Sequence, residues 1–234
     1  MSAPRTARER VREEMTAEIL AVAREHLARE GAPALSLRSV ARDLEMAPSA
    51  LYRYFDGRDA LLSALILSAY ESLADEAERG AAQAAGEGGT DAERFLVVPR
   101  AVRRWALAHP HEWGLIFGTP VPGYEAPEAT VVPYARVAGA MTRPIVEAEE
   151  AGRLGPDVHE RAVSDQLRDA VEPVSDGLFP GLPVASVVRA VQAWTTVIGT
   201  VSLEVFGHWR KTILDPEVFF EATIRDVGRG LGLS

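Results

Sequence analysis

The stretch Leu35–Leu62, LSLRSVARDLEMAPSALYRYFDGRDALL, concentrates side chains suited to nucleic acid. Ser36 stands where a hydroxyl can cap one short helix through Leu44. Pro48 stands where its fixed ring can open the next. A tight turn at Glu45-Met46-Ala47 separates them, and two short helices joined in this way form a helix-turn-helix. In the second helix Leu51 and Phe55 are four residues apart and share a face, whereas Arg53 lies about 200° from each at roughly 100° per residue. Ser49 is four before Arg53 and Pro48 lies beside it, so these residues share the outward side. Such a helix buries one face on its own domain and offers a small, arginine-bearing face to a major groove. Arginine pairs bidentately with guanine O6 and N7, while serine and tyrosine hydroxyls suit phosphates. A generic helical bundle with solvated arginines is the competing reading; turn, cap, buried pair and outward arginine together favour the first.

No other constellation reaches the same specificity. His109, His111 and Glu112 suggest a metal, but helical metal-binding histidines want i,i+4 spacing. Residues 109 and 111 diverge and Pro110 interrupts the backbone, so a structural His109 fits better. Nucleophile-elbow, P-loop and dinucleotide fingerprints do not occur, and Glu147, Glu149 and Glu150 read as a solvated face. The expectation is a non-enzyme without metal or cofactor. Trp105, Trp113, Phe117, Met141 and Trp194 are able to line a cavity among helices, with ordinary core packing as the alternative. If they do, His109 and Tyr124 are the polar groups to orient a ligand oxygen, and the ligand is a largely apolar, uncharged or weakly polar small molecule.

The elements that would position these groups are helical throughout. Val11, Met15, Ile19, Val22 and Leu27 recur near 3.6 residues, with Thr6 and Glu9 as a capping box and Gly31 as a stop. A fourth helix opens near Asp56 or Gly57. Ala81–Thr90 is small and glycine-rich and reads as a loop. Asp91–Ala108 follows, broken at His109-Pro110; a short helix reaches Phe117, and Thr119–Pro127 is a loop. Glu128–Gly152 is periodic, with Pro133 and Pro144 predicting a kink or split. Helices are expected over Asp157–Asp176, Pro183–Trp209 and from Asp215-Pro216 onward, with a loop at Gly177–Pro183. No strand pattern or internal repeat occurs. The chain reads as all-α, with a three-helix helix-turn-helix domain over 1–60 and a second helical domain over 61–234. In Pro183–Trp209 the positions Val187, Val191, Trp194, Ile198, Val201 and Val205 step 4-3-4-3-4, and Val188, Val197 and Phe206 widen the apolar area. With Val218, Phe219, Ala222 and Val227 of the last helix, this suits an intersubunit four-helix bundle. Val187, Val191, Ile198, Val201, Val205, Val218, Phe219 and Ala222 are the expected dimer-interface residues.

The net charge of −9 argues at first against nucleic acid. Its distribution removes the objection: residues 1–60 carry ten arginines against ten acidic residues, and the remainder holds 15 basic and 24 acidic. Phosphate contacts need local cations, and a repulsive body elsewhere mainly weakens non-specific binding. Arg5, Arg8, Arg10 and Arg12 form an arm that either reaches the DNA backbone or minor groove or is a solvated charge run. The chain has no cysteine, which excludes a disulfide framework. No unbroken apolar run approaches the roughly 18 residues of a membrane span, and the arginine-rich start is no secretory signal. A cytoplasmic location without membrane contact is the expectation.

With these residues in view, the order of helix, serine cap, R-x-x-A, tight turn and A-L-Y-R-Y-F before A-L-L resembles the DNA-binding domain of the TetR family of transcriptional regulators, over about Thr6–Tyr70. Carried over residue by residue, the resemblance implies phosphate contacts from Ser36, Tyr52 and Arg58. It implies approach to base edges by Arg38, Ser49, Ala50, Arg53 and Tyr54, with Pro48 on the same surface. Two positions depart from the family pattern, which often has glycine where Glu45 stands and serine or threonine where Ala47 stands. The segment from Trp105 to Tyr124, WALAHPHEWGLIFGTPVPGY, is similar to a signature of one branch of TetR effector domains, through Trp105, His109 and Gly118. The resemblance implies a homodimer on palindromic operator DNA, released by a small-molecule effector. A ligand-independent activating or architectural DNA-binding protein is the nearer rival, and a helical small-molecule-metabolising enzyme the more distant one.

Overall fold

The computed structural model describes residues 6–125, 127–155, 163–179 and 181–233. Its described residues form helices and connecting turns, without strands. The chain forms two compact units that do not follow chain order: one comprises the chain up to Tyr70 with His111–Thr130, the other Glu71–Pro110 with the chain from Val131 onward.

In the first unit, α1 (Ala7–Glu30) starts at a complete capping box. The Glu9 amide donates to the Thr6 hydroxyl at 3.3 Å, and the Thr6 amide donates to the Glu9 carboxylate at 2.7 Å, which satisfies two of the donors that a helix start leaves orphaned. Gly31, at φ +76°, ends α1, in a backbone region open chiefly to glycine. A 3-10 turn, Ala32–Ala34, leads to α2 (Leu37–Asp43), capped by Ser36, and then α3 (Pro48–Leu51), opened by Pro48. Ile19, Ala23, Leu35, Leu37, Val40, Leu51, Phe55, Leu61 and Leu62 form the shared core of α1 to α4. Leu115, Ile116, Val121 and Tyr124, from the segment after α5, pack against that core.

Helix α4 (Arg58–Glu87) extends through much of the segment expected as a loop. Residues 81–87 include four alanines, the strongest helix formers, and the stop comes at Gly88, with φ +67°. The second unit contains α5 (Asp91–Ala108), α7 (Val131–Glu150), α8 (Asp165–Leu178), α9 (Val184–Val205) and α10 (Pro216–Gly230). Between α5 and α7 lies α6 (Pro110–Phe117). Helix α7 runs through Pro144 as one element instead of splitting. The expected helix over Asp157–Asp176 is described from Asp165 only, because residues 156–162 lie outside the described set.

The core of the second unit gathers Phe95, Val98, Val102 and Trp105 of α5, Met141 and Ile145 of α7, Val187, Val197 and Val201 of α9, and Phe220 and Ile224 of α10. Two bidentate ion pairs fasten α5 to the last two helices. Arg103 grips Glu204 at 2.8 and 2.8 Å, and Arg100 grips Glu221 at 2.7 and 2.7 Å. By length and composition alone α9 is apolar enough to cross a membrane. One face of α9 packs against this unit's own core, and the opposite face bears Gln192, Thr195 and Gly199.

Candidate nucleic-acid interface

The turn between α2 and α3 fixes the geometry of the site. Leu44 ends α2; the Glu45 amide donates to the Arg42 carbonyl at 3.1 Å, and the Met46 amide donates to the Ala41 carbonyl at 2.8 Å. Together these form a Schellman motif, whose extra residue must take a left-handed backbone. That residue is Glu45, at φ +54°. Met46 then packs on the core, as the residue after such a turn commonly does. Helix α3 begins without a side-chain cap on Ala47, and its end tightens: the Tyr54 amide donates to the Leu51 carbonyl at 2.8 Å and the Phe55 amide to the same oxygen at 3.0 Å. Leu51 is fully buried and Phe55 nearly so. Pro48, Ser49, Tyr52 and Arg53 are exposed, and Ala50 and Tyr54 are half-buried.

On α2, Arg38 is exposed in the first turn. The Ser36 hydroxyl accepts from the Ser39 amide at 3.2 Å and lies 2.8 Å from the Ser39 hydroxyl. Arg58, at the start of α4, donates to the Ala32 carbonyl at 3.0 Å and pairs with Asp59 at 3.3 Å. Its guanidinium thereby ties α4 to the turn after α1. Serine, arginine and tyrosine side chains of this kind can bind phosphate oxygens and base edges.

A clasp that sequence reasoning missed holds α2 in place. His26 of α1 is only 2% exposed and its Nε2 lies 2.8 Å from the Asp43 carboxylate, on the last residue of α2. Nδ1 of His26 is buried without a hydrogen-bond partner. A carboxylate only accepts, so Nε2 carries the proton and donates to Asp43. This hydrogen bond, with Arg29 and Arg42 close by, holds the Asp43 carboxyl below its usual range. The signal was available, since His26 lies seven residues after Ile19, on the buried stripe of α1.

The residues expected around an effector divide between the units. Trp105, His109, Met141 and Trp194 lie in the second unit, and Trp113, Phe117 and Tyr124 in the first. His109 stacks on Trp105 with ring centroids 4.9 Å apart, and its Nδ1 lies 2.9 Å from the Trp105 carbonyl. A carbonyl only accepts, so Nδ1 carries the proton. The Trp105 indole donates to the Ser72 hydroxyl at 3.0 Å. Met141 is fully buried, and Trp194 meets Tyr134 edge-on at 5.7 Å. Trp113 is fully buried against Phe117, 4.5 Å between centroids, and the Tyr124 hydroxyl lies 2.9 Å from that of Ser63 on α4. Gly118 leaves no room for a side chain, since a Cβ there would collide with the Gly114 carbonyl oxygen. The four described cavities, of about 340 to 530 Å³, are lined by other residues. Among the described residues no group of three or more His, Cys, Asp or Glu could hold a metal ion.

The expected interface residues also divide. Val187 and Val201 are fully buried inside their own subunit and leave no surface for a partner, which corrects their assignment from spacing. Val191, Ile198 and Val205 are half-buried, whereas Val218, Phe219 and Ala222 are exposed.

Residues 19–65 match the family of bacterial regulatory proteins of the tetR type, and residues 95–227 match a tetracyclin repressor-like C-terminal domain. The chain belongs to the TetR family. An HTH-type transcriptional regulator of Mycobacterium tuberculosis is 38% identical over 218 residues, which cover 92% of this chain and 91% of that one. The crystal structure of a regulatory protein 36% identical in sequence superposes with a TM-score of 0.74, covering 96% of this chain and 98% of the other. A structure of a Rhodococcus protein of unknown function, 25% identical, gives 0.70 over 93% and 95%. This TetR-family chain is therefore a helix-turn-helix transcriptional regulator and not an enzyme.

Proposed function

We propose that this regulator is a repressor that binds a palindromic operator as a homodimer in the cytoplasm and leaves it when a small, largely apolar effector binds. The observation that carries the reading is the placement of His111–Thr130 within the DNA-binding unit. The chain passes between the units at 70/71, 110/111 and 130/131, so a ligand held by the second unit pulls on three covalent connections. Tyr124 to Ser63, the Tyr70 hydroxyl to the Ile116 carbonyl at 3.3 Å, and Arg24 to Glu112 at 2.9 Å fasten the inserted segment beside α1 and α4. A shift of that segment would re-aim the outward Arg53. The Trp105–His109 stack and the obligate Gly118 support placement in the Trp-His-Gly branch, and the half-buried Trp194 offers polarisable apolar surface that the effector would meet.

The dimer forms through the exposed face of α9 and α10. Thr195, Gly199, Leu203 and Phe206 follow one another along α9, opposite its buried stripe, and Val218, Phe219 and Ala222 continue the surface on α10. Two-fold pairing places two copies of α3 on successive half-sites. The test is selection of bound duplexes from random DNA, followed by a screen for compounds that release the selected duplex. Palindromic motifs and apolar releasing compounds support the reading. Asymmetric single sites, or release that requires a charged metabolite or a metal, overturn it.

A further inference from the structure

The buried stripe of α1 does not end with the core. His26, Ala23, Ile19 and Met15 lie on one face, and the same face continues toward the N-terminus as Arg12 and Arg8, in steps of 3, 4, 4, 3 and 4. Where the apolar residues run out, the helix presents arginine in the register that faced the helix-turn-helix core. Glu13 and Glu14 fall on other sides of the helix, because residues one or two apart diverge, and the Glu9 carboxylate is taken up by the Thr6 amide in the capping box. Arg12 shows where this ridge emerges. Its guanidinium carbon stands 5.3 Å from the centre of the Tyr54 ring, at the end of α3. That stacking is a cation–π contact, and it holds the first cation of the ridge against the recognition element. Both arginines are exposed, and neither has a carboxylate partner among the described ion pairs.

We propose that Arg8 and Arg12 form a second DNA-binding element, a two-arginine ridge that contacts operator phosphates just outside the base pairs read by α3. The proposal rests on the assignment of α3 as the recognition helix. A guanidinium stacked on one face keeps its N–H edges free for phosphate oxygens. Spaced by one helical turn, about 6 Å, the two side chains match neighbouring phosphates along one strand, whose spacing is of the same order. The ridge adds affinity and footprint without reading sequence, since phosphates carry no base identity.

The experiment measures binding of the selected operator duplex by fluorescence anisotropy between 50 and 200 mM KCl, for the full-length protein and the Arg8→Ala/Arg12→Ala variant. Loss of two phosphate contacts lowers the slope of log K against log salt by about 1.8 per bound subunit, so across that range wild type loses about twelvefold more affinity per subunit than the variant. Sequence selection by the variant should return the wild-type motif, and trimming the flanking base pairs from the duplex should erase the difference. The Arg8→Lys/Arg12→Lys variant, which keeps both charges, should keep the wild-type slope and serves as the control for folding. An unchanged slope in the alanine variant overturns the proposal in favour of a solvated charge run, and an altered motif overturns the phosphate assignment. Failure of the recognition-helix reading is distinguishable, because Arg53→Ala would then leave the motif unchanged whatever the ridge does.

Discussion

Glu45 occupies the glycine position of a Schellman motif, with φ +54° and both of the motif's backbone hydrogen bonds in place. An L-residue in the left-handed region costs about 1–2 kcal/mol relative to one that tolerates it. Replacement by glycine recovers that strain but returns about 0.5–1 kcal/mol through the greater freedom of the unfolded chain. Glu45→Gly should therefore stabilise the protein by about 0.5–1 kcal/mol, or about 1–4 °C in Tm for a chain of this length. Glu45→Ala supplies the control. It removes the same exposed carboxylate and keeps the strain, so its effect should stay within the roughly 0.5 kcal/mol of ordinary surface changes. Calorimetric melts of the three proteins decide the matter. A glycine variant that melts at or below the alanine variant would show that the turn stores no strain, and the account of the α2–α3 geometry would fail. The same variant should select the same DNA motif, since no contacting side chain changes.

Arg53→Ala should relax specificity at one symmetric base position and weaken operator binding by about 1–3 kcal/mol per contact, while Tyr52→Phe should weaken all sequences alike; selection from random DNA separates the two. Asp43 titrates in the folded protein below its unfolded value, so its clasp with His26 stabilises fully above the unfolded pKa and is lost as pH falls through the folded one. Asp43→Asn should therefore lower Tm at neutral pH and flatten its decline below about pH 4, whereas parallel melting curves for the two proteins would contradict the clasp. Phe206→Glu with Phe219→Glu should give a folded monomer with weak operator affinity, read by sedimentation and circular dichroism; a dimer at micromolar concentration would place the interface elsewhere.

The parts of the fold set by neighbouring residues were legible in the sequence. Thr6 with Glu9, Ser36, Gly31 and Pro48 mark helix ends through local hydrogen bonds or fixed torsions, and each sits where its chemistry requires. The outward direction of Arg53 followed from its offset to Leu51 and Phe55. What depends on distant packing was not legible. Periodicity marks α9 as apolar on more than one side but cannot say which side faces its own core, so Val187 and Val201 were placed at an interface when they are buried within the subunit. Trp113 and Tyr124 carry no mark of their partners. Their positions beside Phe117 and Ser63 depend on a segment that returns to the first unit after forty residues elsewhere. Trp113→Ala, a natural probe for an effector wall, would instead open a cavity in the DNA-binding unit.

That return has a consequence for transplanting the DNA-reading element. A chimera cut once near residue 70 would leave Leu115, Ile116, Val121 and Tyr124 behind and strip their cover from the core. A graft that exchanges operator specificity without unfolding must either carry His111–Thr130 along or alter only the outward side chains of α2 and α3. New operator preferences are therefore more accessible to this scaffold by surface substitution than by recombination of whole segments.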